Sequence, residues 1–176
     1  MHEARFGAVT LELVRGDIAA QEGIDAVVNA ANAQLLPGGG VAGAIHRAAG
    51  PGLAEECAPL APIAPGTCVM TSAHRLPNRH VIHCLGPVYG EDEPAGELLA
   101  SCYRQALRLA DQAGLTSIAF PAISTGVFGY PMAEAARIAL STIAEVAPTL
   151  TSVRLVRMVL YSDSDLEAHR RALRAF

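Results

Sequence analysis

The chain has little of several residue types, and each shortage argues against a class of function. Among its 176 residues there is no tryptophan, and only 5% are aromatic. No two of its four cysteines form a Cys-X-X-Cys pair; they are Cys57, Cys68, Cys84 and Cys102. Such scattered cysteines fit neither a disulfide framework nor a zinc site, and no predicted helix carries a histidine pair at metal-binding spacing. We therefore expect buried thiols and no bound metal.

Basic residues and long apolar runs are also scarce. The chain has 13 basic and 17 acidic residues, which gives a net charge of -4, and it contains no basic run. General nucleic-acid binding is therefore not expected. No segment approaches the ~18 apolar residues of a membrane span, and the first seven residues lack the apolar core of a signal peptide. These absences predict a cytoplasmic protein whose anionic ligand, if any, is small and held by backbone groups.

What the chain does have is enough apolar material for one core. Hydrophobic residues make up 51% of it, the mean hydropathy is +0.30, and the length suits a single domain over residues 1–176. Apolar runs predict strands at residues 10–14, 25–30, 67–72, 80–85, 117–121 and 153–161. Helical spacing falls at residues 43–49, 52–58, 97–113, 131–146 and 163–175, the last capped by Ser162 or Asp163. This alternation predicts an α/β fold, a three-layer α/β/α sandwich around a mixed, mostly parallel sheet of about six strands.

Two glycine-rich turns stand out, at residues 37–43 and 124–129; we call them the first and second glycine loops. Each follows an apolar run and leads into a helical segment. Glycine lets the backbone approach a ligand closely, and a helix beginning beyond it offers unpaired N–H groups and a positive dipole end. The ligands of parallel sheets bind at the carboxyl ends of the strands, where both loops fall. Two such loops suit a diphosphate.

A nicotinamide-binding fold is the disfavoured alternative. Gly38, Gly40 and Gly43 satisfy the spacing G-X-G-X-X-G, which alone is weak evidence for dinucleotide binding. That fingerprint should follow its strand at once, whereas the segment from Ala30 to Pro37 intervenes here. No acidic residue ends a second strand about 20 positions further on.

Several polar residues near predicted strand ends have two interpretations each. The amides of Asn29 and Asn32 suit ribose hydroxyls, but asparagine also closes turns on its own backbone. Asp17 either caps the turn that follows it or accepts a hydrogen bond from an exocyclic amine such as that of adenine. His46 and His83 have no partner at triad spacing, so core or supporting roles are favoured.

Two aromatic side chains are placed to meet a ligand. Phe128 lies within the second glycine loop, where packing alone does not account for an aromatic residue, and Tyr161 ends the last strand. Both suit stacking on a base or sugar, although Tyr161 equally suits ordinary packing at an edge.

Five motifs occur in order at residues 16–18, 27–32, 38–51, 81–87 and 120–131, among them Gly16-Asp17-Ile18 and the segment ending in Asn29-Ala30-Ala31-Asn32. Together they resemble the macrodomain family, closest to its MacroD-type ADP-ribosyl hydrolase branch. The motifs match in order and separation along nearly the whole chain, which makes the resemblance specific where any single motif would not be.

The resemblance implies a role for each of these positions in binding ADP-ribose. Asp17 would accept from the adenine amine beside the backbone of Ile18, and Tyr161 would stack near adenine. Asn32 would hold the distal ribose, Asn29 would brace the loop, and Phe128 would pack on that ribose and orient it. The diphosphate would lie against the main chain of Gly38, Gly39, Gly40, Val41 and Ala42 and of Ser124, Thr125, Gly126 and Val127, with hydroxyl help from Ser124 and Thr125.

The resemblance also implies an activity, with one departure. MacroD-type proteins remove ADP-ribose from acidic side chains of modified proteins, or acetyl from O-acetyl-ADP-ribose, without a metal or other cofactor. Their loop reads Gly-Gly-Gly-Val-Asp-Gly, and this chain has Ala42 in place of the aspartate that activates or positions water. Some viral macrodomains with alanine there still hydrolyse ADP-ribosyl esters. The expectation is a monomeric hydrolase whose water is activated by the substrate phosphate and aligned by Asn32 and Phe128, with a non-catalytic ADP-ribose reader as the alternative.

Overall fold

The computed structural model describes residues 2–176 and contains one seven-stranded sheet. The strands are β1 (Glu3–Phe6), β2 (Val9–Arg15), β3 (Ala26–Ala30), β4 (Cys68–Ser72), β5 (His80–Cys84), β6 (Ser117–Phe120) and β7 (Leu155–Leu160). Their order across the sheet is β1-β2-β7-β6-β3-β5-β4. The five inner strands are parallel, while β1 and β4 pair antiparallel at the two edges.

Helices cover both faces of this sheet. They are α1 (Gly40–Ala49), α2 (Gly52–Cys57), α3 (Ala95–Gln112), α4 (Met132–Val146) and α5 (Asp163–Leu173), with 3-10 turns at Ala58–Leu60 and Ala147–Thr149. One apolar core joins the sheet to α3, α4 and α5, and a second joins its other face to α1 and α2. The structure confirms the three-layer α/β/α architecture with a mixed, mostly parallel sheet. None of the helices in residues 2–176 is long and apolar enough to cross a membrane.

Strand burial follows the sequence pattern. β6 is buried at every position and β3 at all but its last, because both lie in the middle of the sheet with helices on each face. β2 alternates: Val9, Leu11 and Leu13 are buried, and the residues between them are half-buried. Alternation in β3 places Val28 in the core under α3 to α5, and Val27 in the core under α1 and α2.

The seventh strand is the main feature that sequence periodicity does not indicate. β1 has the sequence Glu-Ala-Arg-Phe and no buried residue, and it pairs only with β2, so it needs no apolar run. At the other end of the chain, Ser162 is the cap of α5, since its hydroxyl accepts from the N–H of Asp165 at 3.2 Å. In α4, Pro131 stands just before the helix rather than in its first turn.

Because the five inner strands are parallel, the segments that follow them meet at one edge of the sheet. The chain leaves β2, β7, β6, β3 and β5 at the same side of the sheet, in that spatial sequence. Asp17, Tyr161, the second glycine loop and Asn32 follow four of these strands within a few residues. The residues that the motifs single out are therefore brought to one edge of the sheet.

Candidate functional site

The first glycine loop ends in the amino terminus of α1. Gly39 caps the helix without a side-chain hydrogen bond, and the first turn carries no acidic residue. The main-chain N–H groups of residues 38–42 donate to no other group in residues 2–176. Free N–H groups at a helix amino terminus attract anions because the helix dipole adds to them. Gly43 must be glycine, since a Cβ there would overlap the carbonyl oxygen of Gly38.

Asn32 fixes the path by which the chain enters this loop. Its Nδ2 donates to the carbonyl of Leu36 at 2.8 Å, and its Oδ1 accepts from the N–H of Leu36 at 3.0 Å. Such a two-point clamp holds five residues in one turn. We expected Asn29 to brace the loop, but the bonds that brace it come from Asn32.

Asn29 instead belongs to a buried polar cluster behind the loop. It lies on the same face of β3 as Val27, and its Nδ2 donates to Nδ1 of His83 at 3.1 Å. The other ring nitrogen of His83 is 3.0 Å from the hydroxyl of Thr71 and 3.6 Å from the thiol of Cys57. In parallel pairing Asn29 stands beside His83, so strand register brings the two together.

Burial decides the ionisation of this cluster. It lowers the pKa of His83 to about 4, with a smaller contribution from the neighbouring imidazole of His46. Burial likewise raises the pKa of Cys57 to about 11. Both groups are therefore neutral near pH 7 and unsuited to proton transfer or nucleophilic attack there.

His46 is buried in α1, as the sequence predicts, and burial lowers its pKa. Neither of its ring nitrogens has a hydrogen-bond partner in residues 2–176. Ala42 lies one turn earlier on the same helix and is only 6% exposed. A methyl group therefore fills the place where the resemblance implies a carboxylate.

The second glycine loop is shaped by its own backbone. The N–H of Tyr130 donates to the carbonyl of Ser124 at 2.9 Å, and the N–H of Gly129 donates to that of Gly126 at 3.0 Å. The N–H groups of residues 126–128 donate to no group in residues 2–176. The loop therefore presents a second row of free donors, beside the first because β6 and β3 are neighbouring strands.

The two hydroxyls of this loop differ. Ser124 has a φ of +67°, and its hydroxyl is buried with no partner in residues 2–176. Thr125 donates its hydroxyl to the carbonyl of Ala122 at 2.7 Å, so its proton is already used. Of the two hydroxyls, that of Ser124 is the one free to bind a ligand.

Asp17 caps the turn that follows it, and one oxygen of its carboxylate stays free. Its Oδ1 accepts from the N–H of Ala19 at 2.9 Å, which caps the turn, while Ile18 beside it is buried. The Asp17 carboxylate is exposed, and its second oxygen makes no hydrogen bond in residues 2–176. A capped but exposed carboxylate can still accept from a ligand amine.

The aromatic side chains near the carboxyl edge of the sheet differ in how firmly they are packed. Tyr161 is 88% exposed and Val127 is 99% exposed, so neither is held by packing. Phe128 is half-buried, and its carbonyl accepts from the N–H of Tyr89 at 2.8 Å. The ring of Tyr89 packs on that of Tyr130 with centroids 4.8 Å apart. Sequence reasoning missed Tyr89, which lies 39 positions from Phe128 with no motif linking them.

Known proteins are similar to this chain in both sequence and architecture. The Macro domain family model matches residues 28–139. The O-acetyl-ADP-ribose deacetylase of Citrobacter rodentium is 45% identical over 168 residues, covering 93% of this chain and 94% of that protein. The macrodomain of Oceanobacillus iheyensis, solved with ADP, has a TM-score of 0.94 and 43% identity over 98% of this chain and 94% of its own. The macrodomain of Trypanosoma brucei, solved in complex with ADP-ribose, has a TM-score of 0.86 and 39% identity over 93% of this chain and 68% of its own. The chain belongs to the Macro domain family.

Proposed function

We propose that the chain binds ADP-ribose between the two glycine loops and hydrolyses the bond that joins the distal ribose to an acidic side chain. The acetyl ester of O-acetyl-ADP-ribose is a second substrate, in which the same water adds to the acetyl carbonyl carbon and releases acetate and the free ribose hydroxyl. The observation that carries the proposal is the pair of free main-chain N–H rows, at residues 38–42 and 126–128. The ligands of the solved relatives, ADP and ADP-ribose, contain the diphosphate that such rows suit.

The residues on either side of the two rows support one orientation of the ligand. With the diphosphate against both loops, adenine extends toward the β2 and β7 side of the edge, where Asp17, Ile18 and Tyr161 follow the strands. The free oxygen of Asp17 accepts from the adenine amine, and the exposed ring of Tyr161 covers the base. The distal ribose then extends toward Asn32 and Phe128.

Hydrolysis in this site relies on positioning and on the phosphate. A water between the α-phosphate and the distal ribose adds its oxygen to the anomeric carbon. Its proton passes to a phosphate oxygen, and the carbon–oxygen bond breaks to release the acceptor carboxylate. Phe128 orients the ribose and Asn32 aligns its hydroxyls, while the loop N–H groups stabilise the charge that develops on the phosphate.

Ala42 determines how fast this route runs. A side-chain general base contributes typically about 10²–10⁴-fold, so its replacement by a methyl group slows hydrolysis without removing the site. The same substitution favours the second candidate function, an ADP-ribose reader that releases its ligand unchanged.

A single-turnover assay separates the two candidates. Excess protein is mixed with a substrate carrying ADP-ribose on one glutamate, and release of ADP-ribose is followed against buffer. Release faster than buffer supports the hydrolase. Calorimetric binding of ADP-ribose together with release at the buffer rate assigns the reader function instead. Parallel assays with arginine- and serine-linked substrates define the linkage.

A further inference from the structure

A cavity of about 320 Å³ lies beside the first glycine loop, outside the cleft assigned to ADP-ribose. It opens between the loop, α1 and the start of α2. Its walls include Gly38, Gly43, His46, Arg47, Pro51 and Ala54. None of the residues that line it is acidic, and Gly38 is shared with the cleft.

Arg47 brings a free positive charge to this cavity. Its Nη1 lies 3.0 Å from where a Cβ of Gly43 would stand, so the guanidinium folds over the loop end of α1. It makes no ion pair in residues 2–176. An exposed guanidinium with no carboxylate partner remains available to an incoming anion.

A second arginine lies against the wall of the cavity at the carboxyl end of α1. Arg75 lies along Gly50, another wall residue, with its Cδ 3.2 Å and its Cζ 3.4 Å from where a Cβ of Gly50 would stand. Arg75 also makes no ion pair in residues 2–176. One unpaired guanidinium therefore lines the cavity and a second lies beside its wall at Gly50, in a protein whose net charge is -4.

The shape and charge of the cavity select the kind of anion. All 13 basic residues of the chain are arginines, whose planar guanidinium binds a carboxylate through two parallel hydrogen bonds. A volume of about 320 Å³ holds one or two side chains rather than a helix or a nucleic-acid strand.

We propose that this cavity binds an acidic side chain neighbouring the ADP-ribosylated residue of a protein substrate, with its carboxylate against Arg47 and with Arg75, beside the wall at Gly50, adding positive charge. This inference rests on the proposed function, because the cavity wall at Gly38 lies beside Asn32, whose Nδ2 is 3.6 Å from where a Cβ of Gly38 would stand. The site would then recognise the acceptor protein as well as the nucleotide, and it would favour modified glutamates that lie in acidic segments.

The test compares two peptides that carry ADP-ribose on a single residue through a hydrolysis-resistant amide linkage. One has aspartates flanking the modified residue, and the other has asparagines. Dissociation constants are measured by calorimetry for both peptides and for free ADP-ribose, so the result does not depend on turnover. We expect the aspartate peptide to bind about three- to tenfold more tightly than the asparagine peptide.

Variants assign that preference to the cavity. Arg47→Gln and Arg75→Gln should each reduce the preference, and the double variant should abolish it, while the affinity for free ADP-ribose stays unchanged. Arg108→Gln is the matched control, because Arg108 is an exposed arginine on α3 that also makes no ion pair in residues 2–176. It should leave the preference intact.

The possible results distinguish a failure of the cavity assignment from a failure of the proposed function. No binding of free ADP-ribose would overturn the proposed function itself. Normal binding of ADP-ribose with equal affinity for both peptides would overturn the cavity assignment and leave the function standing. An Arg47-dependent preference for an ADP-ribosylated oligonucleotide over the aspartate peptide would overturn the choice of a protein acceptor.

Discussion

Gly86 and Ser124 lie against each other so closely that a Cβ on Gly86 would overlap the Ser124 hydroxyl oxygen. A Cβ there would also meet the Cγ2 of Ile123 at 2.6 Å. The chain after β5 therefore fixes the start of the second glycine loop, with Ser124 held at a positive φ.

Replacing Gly86 by alanine tests this contact. The added methyl must push Ser124 and the loop away, so we expect a loss of about 1–3 kcal/mol in the free energy of unfolding and at least a tenfold loss in ADP-ribose affinity. Denaturant melts and calorimetry measure the two effects. Gly96→Ala is the control, since a Cβ there meets nothing closer than 3.7 Å. An unchanged affinity for Gly86→Ala would show that the loop position is irrelevant to binding.

Asn32→Ala should lower turnover more than it lowers ADP-ribose affinity, because Asn32 aligns the distal ribose. It also removes two hydrogen bonds to Leu36, so the free energy of unfolding should fall by about 1–2 kcal/mol. Single-turnover release, calorimetry and denaturant melts report the three quantities.

Asn78→Ala provides a matched control for that stability cost. Asn78 likewise makes two hydrogen bonds to the main chain, to the carbonyls of Gln21 and Ile24 at 2.7 and 2.8 Å. These carbonyls precede β3, away from the carboxyl edge. The control should lose stability and keep both affinity and turnover. Equal losses of affinity and turnover in Asn32→Ala would reduce its role to binding.

Ala42→Asp should raise the rate of ester hydrolysis by about 10²-fold, because it supplies a carboxylate base in the first turn of α1. Ala42→Asn introduces a side chain of nearly the same volume as aspartate but without a basic carboxylate oxygen, so it should not raise the rate. The measurement is single-turnover release from a glutamate-modified protein. Acceleration of equal size in both variants would point to a change in loop geometry rather than to general-base catalysis.

The buried imidazole of His83 predicts a pH dependence of stability. Its pKa is about 4 in the folded protein against an ordinary value of 6.5, so the unfolded chain binds the extra proton first as pH falls. Its contribution to stability is therefore complete above about pH 6.5 and is lost between there and pH 4, by up to ~3 kcal/mol. A protonated Nδ1 would face the amide N–H of Asn29, which already donates to that nitrogen.

Urea melts of the wild type and of His83→Gln across this pH range isolate the effect. The variant removes the titrating group, so its free energy of unfolding should change less with pH between 6.5 and 4. Because the comparison uses the slope against pH, it is independent of the cost of the substitution itself. Equal slopes would exclude His83 as the source.

Much of the fold follows from the sequence, for identifiable reasons. β3 and β6 are buried on both faces, so they must be apolar runs, and glycines mark the loops because Gly43 has no room for a side chain. The sequence pattern does not predict β1, because an edge strand with no buried residue needs no run of apolar residues.

Asn29 and Asn32 have different roles that the sequence alone does not distinguish. Both are asparagines near the end of β3. Asn29 is buried and donates to His83, whereas Asn32 lies beyond the strand and makes two hydrogen bonds to Leu36. Which of the two braces the loop depends on a histidine 54 positions away. Local patterns do not contain that information.

The free donors of both glycine loops belong to the main chain, and this determines how the site responds to mutation. An alanine scan would pass through residues 126–128 without deleting a single N–H group. Binding is lost only when bulk is added or the path of the chain is bent. An inhibitor anchored on these amides would therefore be hard to escape by single side-chain replacements, since proline alone removes the donor.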